Sequence, residues 1–227
     1  MSNVKILVVD DEPSILNLVT SYLRKEGYEV FTASDGPSGL KAAQVYKPDL
    51  VVLDIMLPGM DGIELLTRLR RASDVYVIML TAKTEETDKI IGLSVGADDY
   101  VTKPFSPREL VARVKAALRR LQSDSSGSES ETLLFRHVRM DIGARQVWVD
   151  AQLIELTTTE FDLLKALADQ SGLVLSRERL LEKVWGYEYF GEIRVVDVHI
   201  GHVRQKIGEQ FISTVRGVGY RFNDERL

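Results

Sequence analysis

Asp54 is the residue whose position most strongly indicates chemistry, because it ends the apolar segment Leu50-Val51-Val52-Leu53. Taken alone, a carboxylate in this position is more often a strand-end cap than a reactive group. Three other apolar segments, however, are followed by Asp10-Asp11, by Thr81 and by Lys103. Ligand sites of parallel α/β sheets gather at the carboxyl ends of the strands. The combination therefore favours a phosphoryl-acceptor site over a set of caps.

These side chains predict that a metal ion and a lysine surround a reactive carboxylate. Asp10, Asp11 and Asp54 offer the oxygen ligands that Mg²⁺ prefers. An aspartate can form an aspartyl-phosphate, which makes Asp54 the candidate nucleophile. Thr81 would donate a hydrogen bond to one phosphoryl oxygen, and Lys103 would neutralise another. A single lysine is as readily a surface residue, but the proline that follows permits a cis peptide bond and favours an aimed side chain.

The elements that must position these residues alternate between strands and helices. Residues 13–26 place apolar side chains on one helical stripe, and Gly27 is suited to end that helix. Ser106-Pro107-Arg108-Glu109 has the pattern of a capping box and opens another amphipathic helix. The alternation predicts an α/β doubly wound, flavodoxin-like domain with a parallel five-stranded sheet over residues 1–121.

A different pattern follows a Ser-rich, acidic segment, residues 122–131, which has almost nothing to bury and is the predicted linker. Short strands are predicted over 133–156, and then three helices, the third spanning roughly 193–207. A hairpin with glycines at its turn closes the chain. Three helices followed by a hairpin predict an α+β winged helix-turn-helix domain over residues 132–227.

Length and composition bound the class of protein. The 227 residues suit two domains, and 44% hydrophobic with 28% charged residues is typical of globular chains. No apolar segment approaches the roughly 20 residues of a membrane-spanning helix, and the start lacks a signal-peptide pattern. The absence of cysteine excludes disulfides and, together with the missing export signal, favours the cytoplasm. No membrane partner is expected. The net charge of −5 argues weakly against nucleic-acid binding, although an average can hide a basic surface.

The first domain resembles the receiver domain of two-component response regulators over residues 4–120. The resemblance implies that Asp54 takes a phosphoryl group from a sensor histidine kinase and that Met56 adds its backbone carbonyl to the three Mg²⁺-binding carboxylates. Thr81 and Tyr100 would form a switch, in which the hydroxyl moves to the phosphoryl oxygen and the aromatic ring turns inward. The motifs that carry the resemblance are Asp10-Asp11-Glu12, Asp54-Ile55-Met56-Leu57-Pro58-Gly59-Met60-Asp61-Gly62, Leu80-Thr81-Ala82 and Gly96-Ala97-Asp98-Asp99-Tyr100-Val101-Thr102-Lys103-Pro104-Phe105.

Phosphorylation is then expected to promote a symmetric homodimer. The surface would comprise the helix after Thr81, the strand ending near Tyr100 and the helix from Pro107, on which family members pair opposite charges. A merely solvated charged surface is the alternative. The candidate dimerisation residues are Lys89, Asp98, Asp99, Glu109, Arg113 and Arg120.

The third helix of the second domain carries a mildly basic outward face. For the helix alone, a solvated surface and a helix that enters a DNA major groove are equal alternatives. The segment Thr214–Phe222 favours DNA, because it resembles the wing of the OmpR/PhoB subfamily, and this second resemblance covers about residues 132–223. It implies binding to double-stranded promoter DNA and work with RNA polymerase. The candidate DNA-binding residues are Arg194, Val198, His199, His202, Arg204 and Arg216.

The chain departs from this subfamily at three positions of the same helix. Val195 stands where Thr or Asn is frequent, and Gly201 and His202 stand where basic or polar residues are frequent. The departures put the usual phosphate contacts at these positions in doubt. Gly201 either permits close approach of the backbone or weakens the helix, by up to about 1 kcal/mol.

We therefore expect a phosphorylation-dependent transcriptional regulator and not an enzyme. The main alternative is a receiver that serves as a phosphate-independent dimerisation module, with DNA binding constitutive or set by another ligand. The complete set of acidic, threonine and lysine residues argues against that alternative. A phosphotransfer enzyme is a weaker one, because only self-phosphorylation and slow self-hydrolysis are implied.

Overall fold

The structure, a computed structural model, describes residues 4–82, 96–123, 132–187, 189 and 192–227, with the side chains of 120–123 left out. The chain divides into two compact units, Met1–Leu118 and Arg119–Leu227. The last helix of the first unit continues to Ser123, past the predicted start of the linker at residue 122. The remainder of that linker lies outside the described residues, so its flexibility stays a prediction.

The first unit contains a five-stranded sheet in which every neighbouring pair of strands is parallel. The strand order is β2-β1-β3-β4-β5, which confirms the predicted doubly wound sheet. The order reverses direction beside β1, the point at which such sheets place their ligand sites. The strands are β1 (Lys5–Val9), β2 (Glu29–Ala33), β3 (Leu50–Asp54), β4 (Tyr76–Ala82) and β5 (Asp99–Lys103).

Helices of the first unit follow its strands along the chain. Helix α1 begins with a proline, which needs no backbone hydrogen-bond partner there, and ends before Gly27, whose φ of 88° suits glycine. In helix α3, the Asp61 side chain accepts a hydrogen bond from the backbone N–H of Glu64 and so caps the helix. The helices are α1 (Pro13–Lys25), α2 (Gly36–Tyr46), α3 (Gly62–Arg70) and α4 (Pro107–Ser123).

The strand register aligns the polar residues at one edge of this sheet. Val9 of β1 pairs with Leu53, so Asp10 and Asp54 follow at the same level. Asp54 pairs with Leu80, which places Thr81 one residue beyond it. The apolar segments of β1 and β3 are fully buried, and this rigid centre holds the polar strand ends in place.

The second unit starts with an antiparallel four-stranded sheet in the order β6-β7-β8-β9 and continues into three helices. A capping box opens the first of them: Thr157 accepts from the backbone N–H of Glu160, and Glu160 accepts from that of Thr157. The elements are β6 (Thr132–Leu134), β7 (Val138–Asp141), β8 (Gln146–Val149), β9 (Gln152–Ile154), α5 (Thr158–Ala168), α6 (Arg177–Trp185) and α7 (Arg194–Ile207).

The predicted closing hairpin is part of a three-stranded sheet. Strands β11 (Ile212–Val215) and β12 (Gly219–Phe222) form the hairpin, and β10 (Val174–Ser176) pairs with the other side of β12. Strand β10 was not predicted, because three residues are too few to show an alternating pattern. Among the described helices, none combines the length and apolar character that crossing a bilayer requires.

Candidate functional site

Three carboxylates meet at the carboxyl edge of the parallel sheet. Asp10, Asp11 and Asp54 each bring one oxygen within 4.8 Å of the others. Asp10 and Asp54 are buried, at 0% and 3% exposure, whereas Asp11 is exposed. Hard oxygen donors that leave one side open suit Mg²⁺, which keeps several water ligands in protein sites. The donor set therefore fits the predicted metal.

Lys103 joins two of these carboxylates from the end of strand β5. Its Nζ lies 2.9 Å from Oδ2 of Asp10 and 2.9 Å from Oδ2 of Asp54. Glu12 adds a third oxygen, 3.4 Å from the same Nζ. The peptide bond to Pro104 is cis, the form that the Lys-Pro dipeptide was expected to permit. Lys103 is thus an aimed side chain and not a surface lysine.

Burial and charge act against each other at this point of the sheet. Burial raises the pKa of the Asp54 carboxyl, and the hydrogen bond and charge of Lys103 only partly offset that rise. For Lys103, burial alone would lower the pKa, but the hydrogen bonds to Asp10 and Asp54 outweigh it and raise the pKa. The lysine therefore carries its positive charge in the pocket, where an incoming anion would meet it.

Gly62 packs against the backbone of Asp54 so closely that no side chain fits between them. A Cβ at position 62 would stand 2.0 Å from the carbonyl oxygen of Asp54. The backbone N–H of Gly62 also donates to the carbonyl of Ile55, at 2.8 Å. This positioning residue was quoted in the motif but given no role in the sequence analysis. A glycine at the first helical position, directly after the capping Asp61, was the available signal.

Met56 lies in the loop between β3 and α3. Its side chain is 70% exposed, so a part in metal binding would have to come from the backbone carbonyl, as the family resemblance implies. The backbone N–H of Met56 lies 3.4 Å from Oδ1 of Asp54. The loop thus remains close to the carboxylate.

The two predicted switch residues lie on neighbouring strands. Thr81 is buried near the end of β4, where it pairs in register with Thr102. Tyr100 lies on β5 and is 5% exposed, so its ring is inside the domain in this structure. An inward turn of the ring would therefore have to start from another position of Tyr100, and the switch stays a prediction.

Three of the residues predicted to pair between copies are buried and form ion pairs within this chain. The buried residues are Asp98, Asp99 and Arg113. Asp98 forms an ion pair with Arg70 at 2.7 Å, and Arg113 forms ion pairs with Asp99 at 3.0 Å and with Glu109 at 2.8 Å. Lys89 and the side chain of Arg120 lie outside the described residues. A dimer surface that uses these charges would therefore have to share or exchange pairs that already exist.

The helix predicted to contact DNA, α7, places only some of its candidates outward. Arg194 is exposed and Val198 half-buried, as the expected outward face requires. His199 is 1% exposed and lies against the ring of Trp185, with ring centres 5.5 Å apart. Its place three residues after Val196 and four before Val203 puts it on the apolar stripe. The expectation that His199 contacts DNA is therefore corrected.

Two of the departures from the subfamily also turn inward. Val195 is fully buried, so its side chain packs inside the domain. The side chain of His202 is 12% exposed, and its Nδ1 lies 3.8 Å from Oε1 of the buried Glu160. Lys206 contacts the other oxygen of Glu160 at 2.6 Å. Burial lowers the pKa of His202, which Glu160 raises in part, so the ring is held neutral against helix α5.

Arg204 and Arg216 occupy different environments. Two donors of Arg204 bind the wing, Nε to the carbonyl of Ile212 at 2.8 Å and Nη2 to Oγ1 of Thr214 at 2.8 Å. Arg216 is exposed in the turn of the hairpin, beside Gly217, whose φ is 71°. The guanidinium of Arg216 is therefore open to solvent, whereas two donors of the Arg204 guanidinium already form hydrogen bonds within the domain.

Two family models match the chain along its length. Residues 6–115 match the response regulator receiver domain, and residues 151–222 match the C-terminal domain of transcriptional regulatory proteins. Among solved structures, a mutant of RitR is 31% identical with a TM-score of 0.77, covering 97% of this chain and 99% of that one. The Thermotoga maritima OmpR/PhoB homologue DrrB is 34% identical with a TM-score of 0.53, covering 98% and 100%.

Curated relatives share nearly half of the residues over the whole length. The alkaline phosphatase synthesis transcriptional regulatory protein PhoP of Bacillus subtilis is 46% identical over 237 aligned positions, covering 99% of each chain. The DNA-binding response regulator MtrA of Mycolicibacterium smegmatis is 46% identical over 222, covering 96% of each. This chain therefore belongs to the OmpR/PhoB-type response regulators of two-component systems, in which a receiver domain precedes a DNA-binding domain that regulates transcription.

Proposed function

We propose that Asp54 is the phosphoryl acceptor of this response regulator and that its phosphorylation controls DNA binding. The observation that carries the proposal is the Nζ of Lys103, which lies 2.9 Å from both buried carboxylates at the sheet edge. A fixed positive charge beside a carboxylate is the arrangement that an anionic phosphoryl group needs. The donor would be a phosphohistidine of a sensor kinase.

In the proposed transfer, an oxygen of Asp54 attacks phosphorus as the bond from phosphorus to the kinase imidazole breaks. A magnesium ion held by Asp10, Asp11, Asp54 and the carbonyl of Met56 would offset charge on the phosphoryl oxygens. Lys103 turns from the carboxylates to one phosphoryl oxygen, and the hydroxyl of Thr81 donates to another. Tyr100, on the strand beside Thr81, has its ring inward in the activated state, as the family resemblance implies.

Acetyl phosphate with Mg²⁺ tests this assignment without the kinase. We expect mass spectrometry to find one added phosphoryl group on the full chain and none on Asp54→Asn. The matched control is Asp74→Asn, which changes an exposed aspartate that precedes β4, at the opposite end of that strand. Full labelling of the Asp54→Asn protein would remove Asp54 from its proposed role.

We further propose that the phosphorylated chain forms a homodimer, binds promoter DNA and acts with RNA polymerase in the cytoplasm. The resemblance to a family that pairs opposite charges between receivers supports the dimer, although Arg113 is unsuitable for testing it because that side chain is buried against Asp99. Lys89→Glu is the better variant. It should leave labelling of Asp54 intact and lower the mass that light scattering measures after phosphorylation. An unchanged dimer mass would refute the charge-pair surface.

A further inference from the structure

We propose that Asp197 is a positioning residue that fixes the angle between helix α7 and the wing, and thereby sets which DNA sequences the domain reads. Asp197 lies in the first turn of α7, three residues after the exposed Arg194. Its carboxylate contacts the three-stranded sheet of the wing through Tyr220. In this role Asp197 would affect DNA binding without contacting DNA, by holding the wing in position.

One oxygen of Asp197 receives two hydrogen bonds from two other elements. Nε of Arg177, the first residue of α6, lies 2.6 Å from Oδ1 of Asp197. The hydroxyl of Tyr220, on wing strand β12, donates to the same oxygen at 2.6 Å. Nη2 of Arg177 lies 3.2 Å from that hydroxyl and closes the triangle. We call Arg177, Asp197 and Tyr220 the Asp197 cluster.

Hydrogen bonds to an ionised carboxylate are stronger and more directional than neutral ones, so they define the distance between elements. Tyr220 is buried and pairs in register with Leu175 and Thr214, which makes it a rigid part of the wing. The guanidinium groups of Arg177 and Arg204 lie 4.9 Å and 5.4 Å from the centre of its ring. The ring is therefore held by both helices and by both neighbouring strands.

The wing is attached to α7 at two points two helical turns apart. Asp197 holds β12 near the start of the helix, and Arg204 holds Ile212 and Thr214 of β11 near its end. Seven residues separate these points, which corresponds to about 10 Å along the axis. Loss of the first attachment would loosen the wing beside the start of α7 and let it tilt slightly about the second. Such a tilt would move Arg216 relative to Arg194.

Asp197 can also be regarded as a plain negative charge beside a DNA surface, and this makes the direction of a mutational effect informative. A carboxylate without a positioning role would repel phosphates, so its neutralisation would tighten DNA binding. A positioning carboxylate gives the opposite result. Tyr220→Phe separates the two further, because it breaks the hydrogen bond to Asp197 without changing any charge.

The experiment measures binding of the full chain to double-stranded DNA that the wild-type chain has selected from a random library. We expect Asp197→Ala, which removes the acceptor, and Tyr220→Phe each to weaken binding about tenfold, the usual effect of losing a hydrogen bond to a charged group. The double variant should be weakened by clearly less than the product of the two effects, because both act through one cluster. Glu209→Gln is the control, since it removes an exposed negative charge just after α7 and should not weaken binding.

A second selection with each variant separates positioning from general damage to the fold. We expect the preference for bases that face Arg194 to remain and the preference at flanking positions that face the wing to be lost. Circular dichroism identifies the temperature range in which each variant is folded, and binding is measured within that range. Equal or tighter binding by Asp197→Ala, additive effects in the double variant, or an unchanged sequence preference would each overturn the proposal.

Discussion

In the receiver, the candidate functional side chains lie at the ends of four strands and meet at one edge of the sheet, whereas in the DNA-binding domain they spread along a helix and a hairpin turn. Lys103 lies 2.9 Å from both Asp10 and Asp54, although these residues are far apart in sequence. On α7, by contrast, Arg194 faces solvent and His199 faces the core. The parallel sheet brings the receiver side chains together, because its strand ends lie side by side. Helix α7 spreads its side chains apart, because successive residues point to different sides of the helix.

Strand ends and helix faces respond differently to small changes in backbone position. Hydrogen bonds to the neighbouring strands fix the backbone of a strand end, and this also fixes the direction of its side chain. The direction of a helical side chain depends on its rotation about the axis and on whichever neighbour offers a partner. His202 and Arg204 both find partners inside the domain, Glu160 in one case and the wing in the other.

Lys103→Met should break the convergent site and produce the largest effect. We expect labelling of Asp54 by acetyl phosphate to slow about 100- to 1000-fold, which is typical of removing one charge-stabilising donor. In buffer without Mg²⁺, the free energy of unfolding should fall by about 3 kcal/mol, because the variant leaves two buried carboxylates without their counter-charge. Mass spectrometry gives the labelling rate, and urea unfolding gives the free energy.

A surface lysine of the same domain provides the control for that variant. Lys115 pairs with Glu26 at 2.7 Å, and its side chain is half exposed. Such surface pairs contribute about 0–1 kcal/mol, so Lys115→Met should change neither quantity appreciably. Labelling of Lys103→Met at the wild-type rate would show that Lys103 is not part of the reaction.

Arg194→Ala should test whether the dispersed surface contains base readers. Arg194 is exposed at the start of α7, where a guanidinium can pair with guanine in a major groove. We expect a loss of about 1–3 kcal/mol that is confined to particular base pairs. Selected-sequence binding with residues 132–227 at two salt concentrations measures it. A uniform loss across all sequences, with the preference unchanged, would instead make Arg194 a phosphate contact.

Gly62→Ala and Gly201→Ala form a matched pair across the two domains. A Cβ at position 62 would meet the Asp54 carbonyl, so overpacking should lower the free energy of unfolding by about 1–3 kcal/mol and slow the labelling of Asp54. A Cβ at position 201 meets nothing within 4 Å. The alanine there should raise the free energy of unfolding by about 0.5–1 kcal/mol.

Urea unfolding and DNA binding are the two measurements for these variants. Urea unfolding should move in opposite directions for the two variants, and movement in the same direction would contradict the packing argument. DNA binding by Gly201→Ala decides between the two sequence-based interpretations of this glycine. Unchanged affinity indicates that Gly201 only weakens the helix, whereas weaker binding indicates close approach of the backbone to DNA.

The fold and the receiver site followed from the sequence because both rest on repeated local patterns. Apolar segments that end in Asp10, Asp54, Thr81 and Lys103 specify strands, and parallel pairing then brings their ends together. The surroundings of α7 could not be obtained in this way. The contact between His202 and Glu160 joins positions far apart in sequence, and no periodicity in either segment predicts which face of α7 meets α5.

His202→Gln should give the smallest effect and shows how the inward histidine differs from one that binds DNA. Because burial lowers the pKa of His202 below its ordinary value of 6.5, the unfolded chain gains a proton at a higher pH than the folded domain does. The contribution of His202 to the free energy of unfolding should therefore fall as the pH decreases through 6.5 towards the lowered pKa of the folded domain. His202→Gln should lose less stability over the same interval.

Urea unfolding at about pH 7.5 and about pH 5 measures this difference, and Gln205→His supplies the control. Position 205 is exposed on the same helix, so a histidine there gains its proton equally in both states and should leave the pH dependence as in the wild type. If His202→Gln loses as much stability as the wild type on acidification, the ring is not held neutral by burial. His202 would then regain its place among the residues that DNA can reach, and the two domains would differ less than the structure indicates.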